Sequence, residues 1–540
     1  MKFLAKLNIL FILLFCCQAS KAQLKLDIFS GGKLKPLQAN MDIRHYTLNL
    51  NIAIDQQAIS GFAEITVDLI QPADTLLLDL IDVYKIKSIW LDKVAVTFKH
   101  QHDSVLVLKP KISTGRHIVK INYEGKPPIA INPPWDGGFT WTKDKAGNAW
   151  VAINCQLNGA KIYFPCKDHP SDEPNEGADL YITIPKGLSV AGPGLLQSVK
   201  PQKNNLSTWH WKTNYTISNY CILFNIGKYE VAERAYTTIN GTKVPMQFYL
   251  LPGYMEKATK LLDMRERDTR VLEKYFGEYP WIKEKIGLAQ VPNPGMEHQT
   301  MITFGGPFEF TQYPKFEFSA NLFHEFAHEW FANKITNTDW AHMWIQEGIT
   351  TYADALFFRD WLGEKGYDSV MLSKRRGIAN KKPIVLGDGL NMKEVYNGDV
   401  YNKGAFFMHT LRYVLGDSLF FPALKQLSTD VVYPYNRFLN SNDVEKHFSR
   451  YAKRDLKPLF DFYLYKAETI DIELTKVKPD TYLIRLQNMP MKLTFEVLTD
   501  IGIQKIDFVN TKRGEELQIK SKIQPVIDPN GWYFKKVIIQ

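Results

Sequence analysis

Hydrophobic periodicity changes twice along this 540-residue chain, and those changes set the fold class before any motif is considered. From about Leu24 to Ala235 apolar residues recur at every second position, as in Tyr46, Leu48, Leu50, Ile52 and Ile54, and again in Ala63, Ile65, Val67 and Leu69. Successive side chains of a strand point to opposite faces, so this text describes half-buried strands. Turn residues separate the runs at short spacing, which predicts an antiparallel sandwich. From about Thr237 to Lys466 the period lengthens to that of a helix, as in Met255–Phe276 and Val444–Tyr465. Asn442, with Glu445 three residues on, reads as a helix start. Strand patterns return from Ala467 to Gln540, as in Leu493, Phe495 and Val497. The expected plan is an α+β multidomain chain: an antiparallel β-sandwich over residues 23–235, a mainly helical domain over 236–466, and a small β domain over 467–540.

The first 22 residues stand apart from that plan. Lys2 and Lys6 precede an apolar run from Leu7 to Cys17, and Ser20-Lys21-Ala22 supplies the small residues that a signal peptidase reads. This is the layout of a secretory signal peptide cut after Ala22, so the chain is expected to be exported, periplasmic or secreted. The run is too short for a permanent span, and no later stretch reaches the ~20 apolar residues that one needs. Phe15 fits poorly before a lipid-modified Cys16. Cys155, Cys166 and Cys221 remain after cleavage and read as small buried hydrophobes. With 45% apolar and 23% charged residues the chain is neither disordered nor fibrous. A formal charge of +9, with Lys2, Lys6 and Lys21 in the leader, and no basic stripe argue against nucleic acid as a partner.

The helical domain holds the chemistry. His324-Glu325-Phe326-Ala327-His328 puts two His at i and i+4, on one helical face, where both imidazoles reach one zinc. Glu325 lies beside the metal, placed to take a proton from a water held there. A catalytic zinc takes a third protein ligand and keeps one position open. Glu347 follows His328 with eighteen residues between, in Trp344-Ile345-Gln346-Glu347-Gly348. Lys334–Trp340 reads as a turn that returns Glu347 to the metal from a second helix.

The run His324–Tyr352 resembles the M1 family of zinc aminopeptidases, the gluzincins similar to aminopeptidase N and leukotriene A4 hydrolase. The resemblance implies a thermolysin-like catalytic domain, one Zn2+ on His324, His328 and Glu347, and Glu325 as general base. Pro294-Gly295-Met296-Glu297-His298 is similar to the family's Gly-Ala-Met-Glu-Asn motif, with Pro294 and His298 departing from it. That likeness makes Gly295, Met296 and Glu297 substrate-binding residues, with Glu297 on the free α-amine. Val400-Tyr401-Asn402-Lys403-Gly404-Ala405 resembles the segment whose Tyr stabilises the oxyanion, which implies Tyr401; Tyr396 is nearby but does not align. Tyr163–Asp168 looks like the family's Phe-Pro-Cys-x-Asp signature, with His169 where Glu is common, and Gln156 stands where a Glu or Gln reaches the substrate. The resemblance fades in the last ~75 residues, which could be the family's small β module; the helical domain of larger members has no room after it, which implies an open cleft.

The implied function is hydrolysis of the N-terminal residue from peptides with a free N-terminus, through a zinc-activated water. Three rivals share parts of this pattern. A thermolysin-type endopeptidase has no use for Glu297, and an inactive zinc-binding module has no use for Glu325 and Tyr401 together. Epoxide hydrolysis, seen in one family member, uses the same zinc.

Overall fold

A computed structural model describes residues 28–435, 437–509 and 515–540. The leader Met1–Ala22 lies outside the described residues.

The amino-terminal part is a β-sandwich built on a ten-stranded sheet. Its centre pairs Met41–Ala53 with Ala58–Leu69 in antiparallel register, Tyr46 opposite Ile65 and Leu48 opposite Ala63. Tyr46, Leu48, Leu50, Ala63, Ile65 and Val67 are all buried, so the alternation read in sequence is the alternation of the core face. One pair departs from the antiparallel expectation. Met41–Ala53 runs parallel to Ala178–Pro185, with Leu48 opposite Leu180. More than a hundred residues separate these strands, far more than the crossover a parallel pair needs. A four-stranded sheet forms the second layer, and its strand Ala149–Asn154 ends two residues before Gln156.

The middle part begins with a five-stranded sheet, and Gly295–Met296 is its edge strand. It pairs only with Ile302–Phe304, Gly295 opposite Phe304 and Met296 opposite Thr303. Gly295 has φ 128°, and a Cβ there would meet the Thr303 carbonyl oxygen at 2.5 Å, so only glycine lets the strand lie this close.

Three helices line the site, α2 Ala320–Ala327, α3 Trp344–Leu362 and α4 Asp399–Leu415, and α1 Ala258–Phe276 packs behind α3. Every residue of α3 from Trp344 to Phe358 is buried, so α3 is the central helix rather than an amphipathic one. It crosses α4 with backbone against backbone: a Cβ on Gly348 would lie 2.8 Å from the Gly404 Cα. The periodic stretch Val444–Tyr465 is two helices, Ser441–Ala452 and Lys457–Leu464. Lys453, left-handed at φ 50°, ends the first. The helix start lies at Asn440 rather than Asn442. Asn440 and Asp443 cap one another, each side chain accepting from the other's backbone N–H, at 3.0 and 3.1 Å.

The carboxy-terminal strands form a four-stranded and a three-stranded sheet that dock on α4. Trp532 stacks on His409 at 4.6 Å, and Thr410 donates to the Trp532 carbonyl at 2.7 Å. Cys155, Cys166 and Cys221 are buried free thiols.

Candidate metal centre and active-site pocket

The Ser319 hydroxyl caps α2 by accepting from the Leu322 N–H at 3.2 Å. His324 follows one turn later, and His328 is the C-cap residue, still in helical geometry at φ −60° and ψ −17°. The chain then turns and enters α3, whose first turn carries Glu347. Three ligand atoms converge: His324 Nε2 to His328 Nε2 is 3.0 Å, and Glu347 Oε2 lies 3.3 and 3.4 Å from the two nitrogens. A triangle with those sides has a circumscribed radius of about 1.9 Å, so an ion slightly off its plane meets all three at the ~2.0–2.1 Å of zinc–nitrogen and zinc–oxygen bonds. Two imidazoles and one carboxylate are also the donor set that suits zinc.

The groups behind these ligands fix their orientation. His328 Nδ1 lies 2.9 Å from the Phe331 carbonyl oxygen and 3.2 Å from Thr350 Oγ1, and Thr350 itself donates to that carbonyl at 3.1 Å. An Nδ1–H donating to the carbonyl leaves the Nε2 lone pair facing Glu347. Burial pushes the Glu347 carboxyl up, but His328 and the hydrogen bonds from both imidazoles outweigh it and hold it at about 2. His328 is raised to about 10: burial lowers it, and the Glu347 carboxylate more than reverses that. The trio is thus built to hold positive charge.

These residues open into a cavity of about 290 Å³ that Glu297, Glu325 and Tyr401 also line. Glu325 is buried, and burial followed by the Glu297 carboxylate raises it well above the ordinary carboxylate range. Glu297, 3% exposed, accepts from Gln156 Nε2 at 2.5 Å and from the Tyr220 hydroxyl at 2.8 Å. Its backbone carbonyl accepts from Asn333 at 2.9 Å. Gly295 and Met296 form the cavity's edge strand. Tyr401, in the first turn of α4, has its ring 5.9 Å from that of His324 and its hydroxyl 2.9 Å from that of Tyr396.

The structure therefore gathers His324, His328, Glu347, Glu325, Glu297, Tyr401, Gln156, Met296 and Gly295 around one cavity. Sequence reasoning missed Tyr220, Thr350 and Trp135, and set Tyr396 aside. Only Tyr396 carried a signal, its position five residues before Tyr401. The Tyr163–Asp168 segment stays out of the cavity. Asp168 is buried against Lys161 at 2.9 Å and Ser30 at 3.2 Å, in the seam of the first domain.

Comparison with known proteins agrees with this geometry. The family model described as the Peptidase M1 N-terminal domain matches residues 43–221, and that of the Peptidase family M1 domain matches 261–463, together more than half of the chain. Leucine aminopeptidase 2 of Vanderwaltozyma polyspora is 24% identical over 84% of this chain and 67% of its own length. Glutamyl aminopeptidase of Mus musculus is 22% identical over 68% of this chain and 41% of its own. Apart from the first, the chain spans about half the length of these relatives or less, as with aminopeptidase M1-C of rice at 45%. Among solved structures, the M1 zinc metallopeptidase of Deinococcus radiodurans superimposes with a TM-score of 0.67 at 21% identity, covering 81% of this chain and 95% of its own. Aminopeptidase A of Legionella pneumophila gives a TM-score of 0.76 at 16% identity, over 95% of this chain and 61% of that one.

Proposed function

The chain belongs to peptidase family M1, and on that premise we propose that it is a zinc-dependent aminopeptidase releasing the N-terminal residue of peptides. His324, His328 and Glu347 would hold the ion. Zinc in such a site lowers the pKa of a water toward ~7 and polarises the carbonyl under attack. Glu325, beside the three residues that would hold the ion, would take a proton from the attacking water and pass it to the leaving amine. Tyr401 donates its hydroxyl proton in a hydrogen bond to the oxyanion, a contribution of roughly 2.7–4 kcal/mol for one such donor. The free edge of Gly295–Met296 offers main-chain groups to an extended peptide.

One observation carries the exopeptidase assignment. Glu297 is buried in the cavity of the metal ligands, and both of its side-chain hydrogen-bond partners, Gln156 and Tyr220, are neutral donors. A buried carboxylate with no cation hydrogen-bonded to it is costly to the fold, by several kcal/mol after relaxation, and burial raises the Glu297 carboxyl even against the opposing pull of His328. A substrate α-ammonium supplies the missing charge, and it fixes the cut one residue from the amino terminus. An internal peptide segment brings no such charge. The test is hydrolysis of aminoacyl arylamides and short peptides, free and N-acetylated, with and without a chelator. Turnover should need both the metal and the free amine. Efficient cleavage of the acetylated forms would replace this reading with an endopeptidase.

We also propose that the protein works outside the cytoplasm. The support is the order of Lys2, Lys6, apolar run and Ser20-Lys21-Ala22. Among the described residues no helix is long and apolar enough to cross a membrane. Amino-terminal sequencing of the protein from periplasm or medium should begin at Gln23.

A further inference from the structure

The cavity holds a second tyrosine whose place the mechanism leaves open. Tyr396 lines the cavity beside Tyr401, with their hydroxyls 2.9 Å apart and their rings at 78°. It is firmly placed. It follows the short helix Met392–Val395, which Asn391 and Glu394 close as a capping box. Asn397 ties the next turn, donating to the Val395 carbonyl at 2.8 Å and accepting the Asp399 N–H at 3.0 Å. From the first domain, Trp135 lines the same cavity.

Counting protons then gives the pair a direction. Each tyrosine hydroxyl has one hydrogen and can accept through its lone pairs. If Tyr401 gave its hydrogen to Tyr396, it would present a lone pair to the oxyanion and repel it. With Tyr396 donating to Tyr401, the Tyr401 hydrogen is free for the oxyanion. A phenol that accepts one hydrogen bond also donates the next one more strongly. Resting on the reading of Tyr401 as oxyanion donor, we propose that Tyr396 is a positioning residue for it. The Tyr396 hydroxyl donates to the Tyr401 oxygen, 2.9 Å away, and so turns the Tyr401 proton toward the reacting carbonyl.

A double-mutant cycle tests this on the zinc-loaded full chain, with kcat, KM, zinc content and thermal midpoint measured for each protein. Tyr396→Phe removes only the hydroxyl. It should lower kcat about 3- to 10-fold, the size of one neutral hydrogen bond, with KM and zinc content unchanged. In a Tyr401→Phe background the same change should have no further effect, because the group it acts through is gone. Tyr396→Leu, a second side chain without a hydroxyl, should lower kcat by the same factor and lose that effect in the Tyr401→Phe background. It carries the test should Tyr396→Phe fold poorly. An unchanged kcat in Tyr396→Phe, or the same fold-loss with and without Tyr401, would overturn the proposal. The second result would make Tyr396 an independent donor or a wall of the pocket. A Tyr401→Phe enzyme with wild-type kcat would instead overturn the underlying oxyanion role, and the positioning role with it.

Discussion

Replacing Gly348 with alanine should damage catalysis more than stability, and the magnitude follows from one crossing. A Cβ on Gly348 would stand 2.8 Å from Gly404 Cα and 3.0 Å from both the Gly404 carbonyl carbon and the Val400 carbonyl oxygen. All three are backbone atoms, so no rotamer change relieves them. Restoring an ordinary contact of at least 3.4 Å requires α3 and α4 to part by about 0.6 Å. Overpacking of this kind costs ~1–3 kcal/mol. Alanine in a helix returns ~1 kcal/mol relative to glycine, so the net loss is ~0–2 kcal/mol. At ~2–4 °C per kcal/mol or less for a chain this large, the thermal midpoint should fall by only a few degrees. The chemistry has less tolerance. Glu347 is the neighbour of Gly348 on α3, and Tyr401 lies three residues before Gly404 on α4. Parting the helices separates the proposed metal ligand Glu347 from the proposed oxyanion donor Tyr401. A misplacement of 1 Å can cost ~10²-fold, so 0.6 Å corresponds to a kcat lower by about 10-fold.

The assay is kcat on an aminoacyl arylamide beside a calorimetric midpoint and metal content. Gly398→Ala is the internal control. Gly398 lies at the N-terminus of α4 with φ −63°, and a Cβ added there would have nothing within 4 Å, so the change should be neutral or slightly stabilising. Gly404→Ala meets the same 2.8 Å approach from the other side and should reproduce the defect. If Gly348→Ala keeps wild-type kcat and midpoint, the crossing does not set the distance between ligand and oxyanion donor, and the reasoning fails.

Two further substitutions probe the metal centre and the seam behind it. Glu325→Gln should keep near-normal zinc while activity falls at least ~10²-fold, the scale of a lost general base, whereas His324→Ala should lose both; loss of zinc in Glu325→Gln would make Glu325 structural. His409, buried between α4 and the carboxy-terminal sheets, is held at about 3 against an ordinary 6.5, burial being the main cause. The unfolded chain therefore takes up the proton first, so this stability is complete above about pH 6.5 and is lost as pH falls toward 3. His409→Gln should flatten the acid limb of stability by up to ~1.4 kcal/mol per pH unit, read from urea midpoints, and an unchanged slope would remove His409 from the acid response.

Local rules located most elements and failed where partners are distant. Alternation picked out Tyr46, Leu48 and Leu50 because each buries its side chain on one face of one strand. It could not show that their parallel neighbour is Ala178–Pro185, since pairing across such a separation leaves no local trace. The helix Ala258–Phe276 was legible through its period, while its first turn, Met255–Lys257, is a tighter 3₁₀ turn. At Asn440 the correct cap and the expected one at Asn442 carry the same pattern two residues apart. Only the reciprocal hydrogen bonds with Asp443 distinguish them.

At the site, the residues that the structure gathers around one cavity were legible because chemistry restricts them to few types at fixed spacing. Zinc accepts only a few donor types, and a helix brings two of them onto one face at i and i+3 or i+4. The residues that set their distances obey no such restriction. Tyr220 and Thr350 hold Glu297 and His328 through single hydroxyls, and a hydroxyl residue is acceptable almost anywhere in a chain. Gln156 sits 141 residues from Glu297 and meets it only because a strand of the first domain ends at the cavity. Gly348 and Gly404 are two of 33 glycines, and the space that excludes a methyl from each is made by the other helix. Their identity is therefore a property of the crossing rather than of either segment. A sequence specifies which atoms can do the reaction. Whether those atoms stand within the half-ångström that the reaction tolerates is decided by contacts between segments as much as 141 residues apart, which is why the substitutions most informative about this site lie one residue behind its proposed ligands.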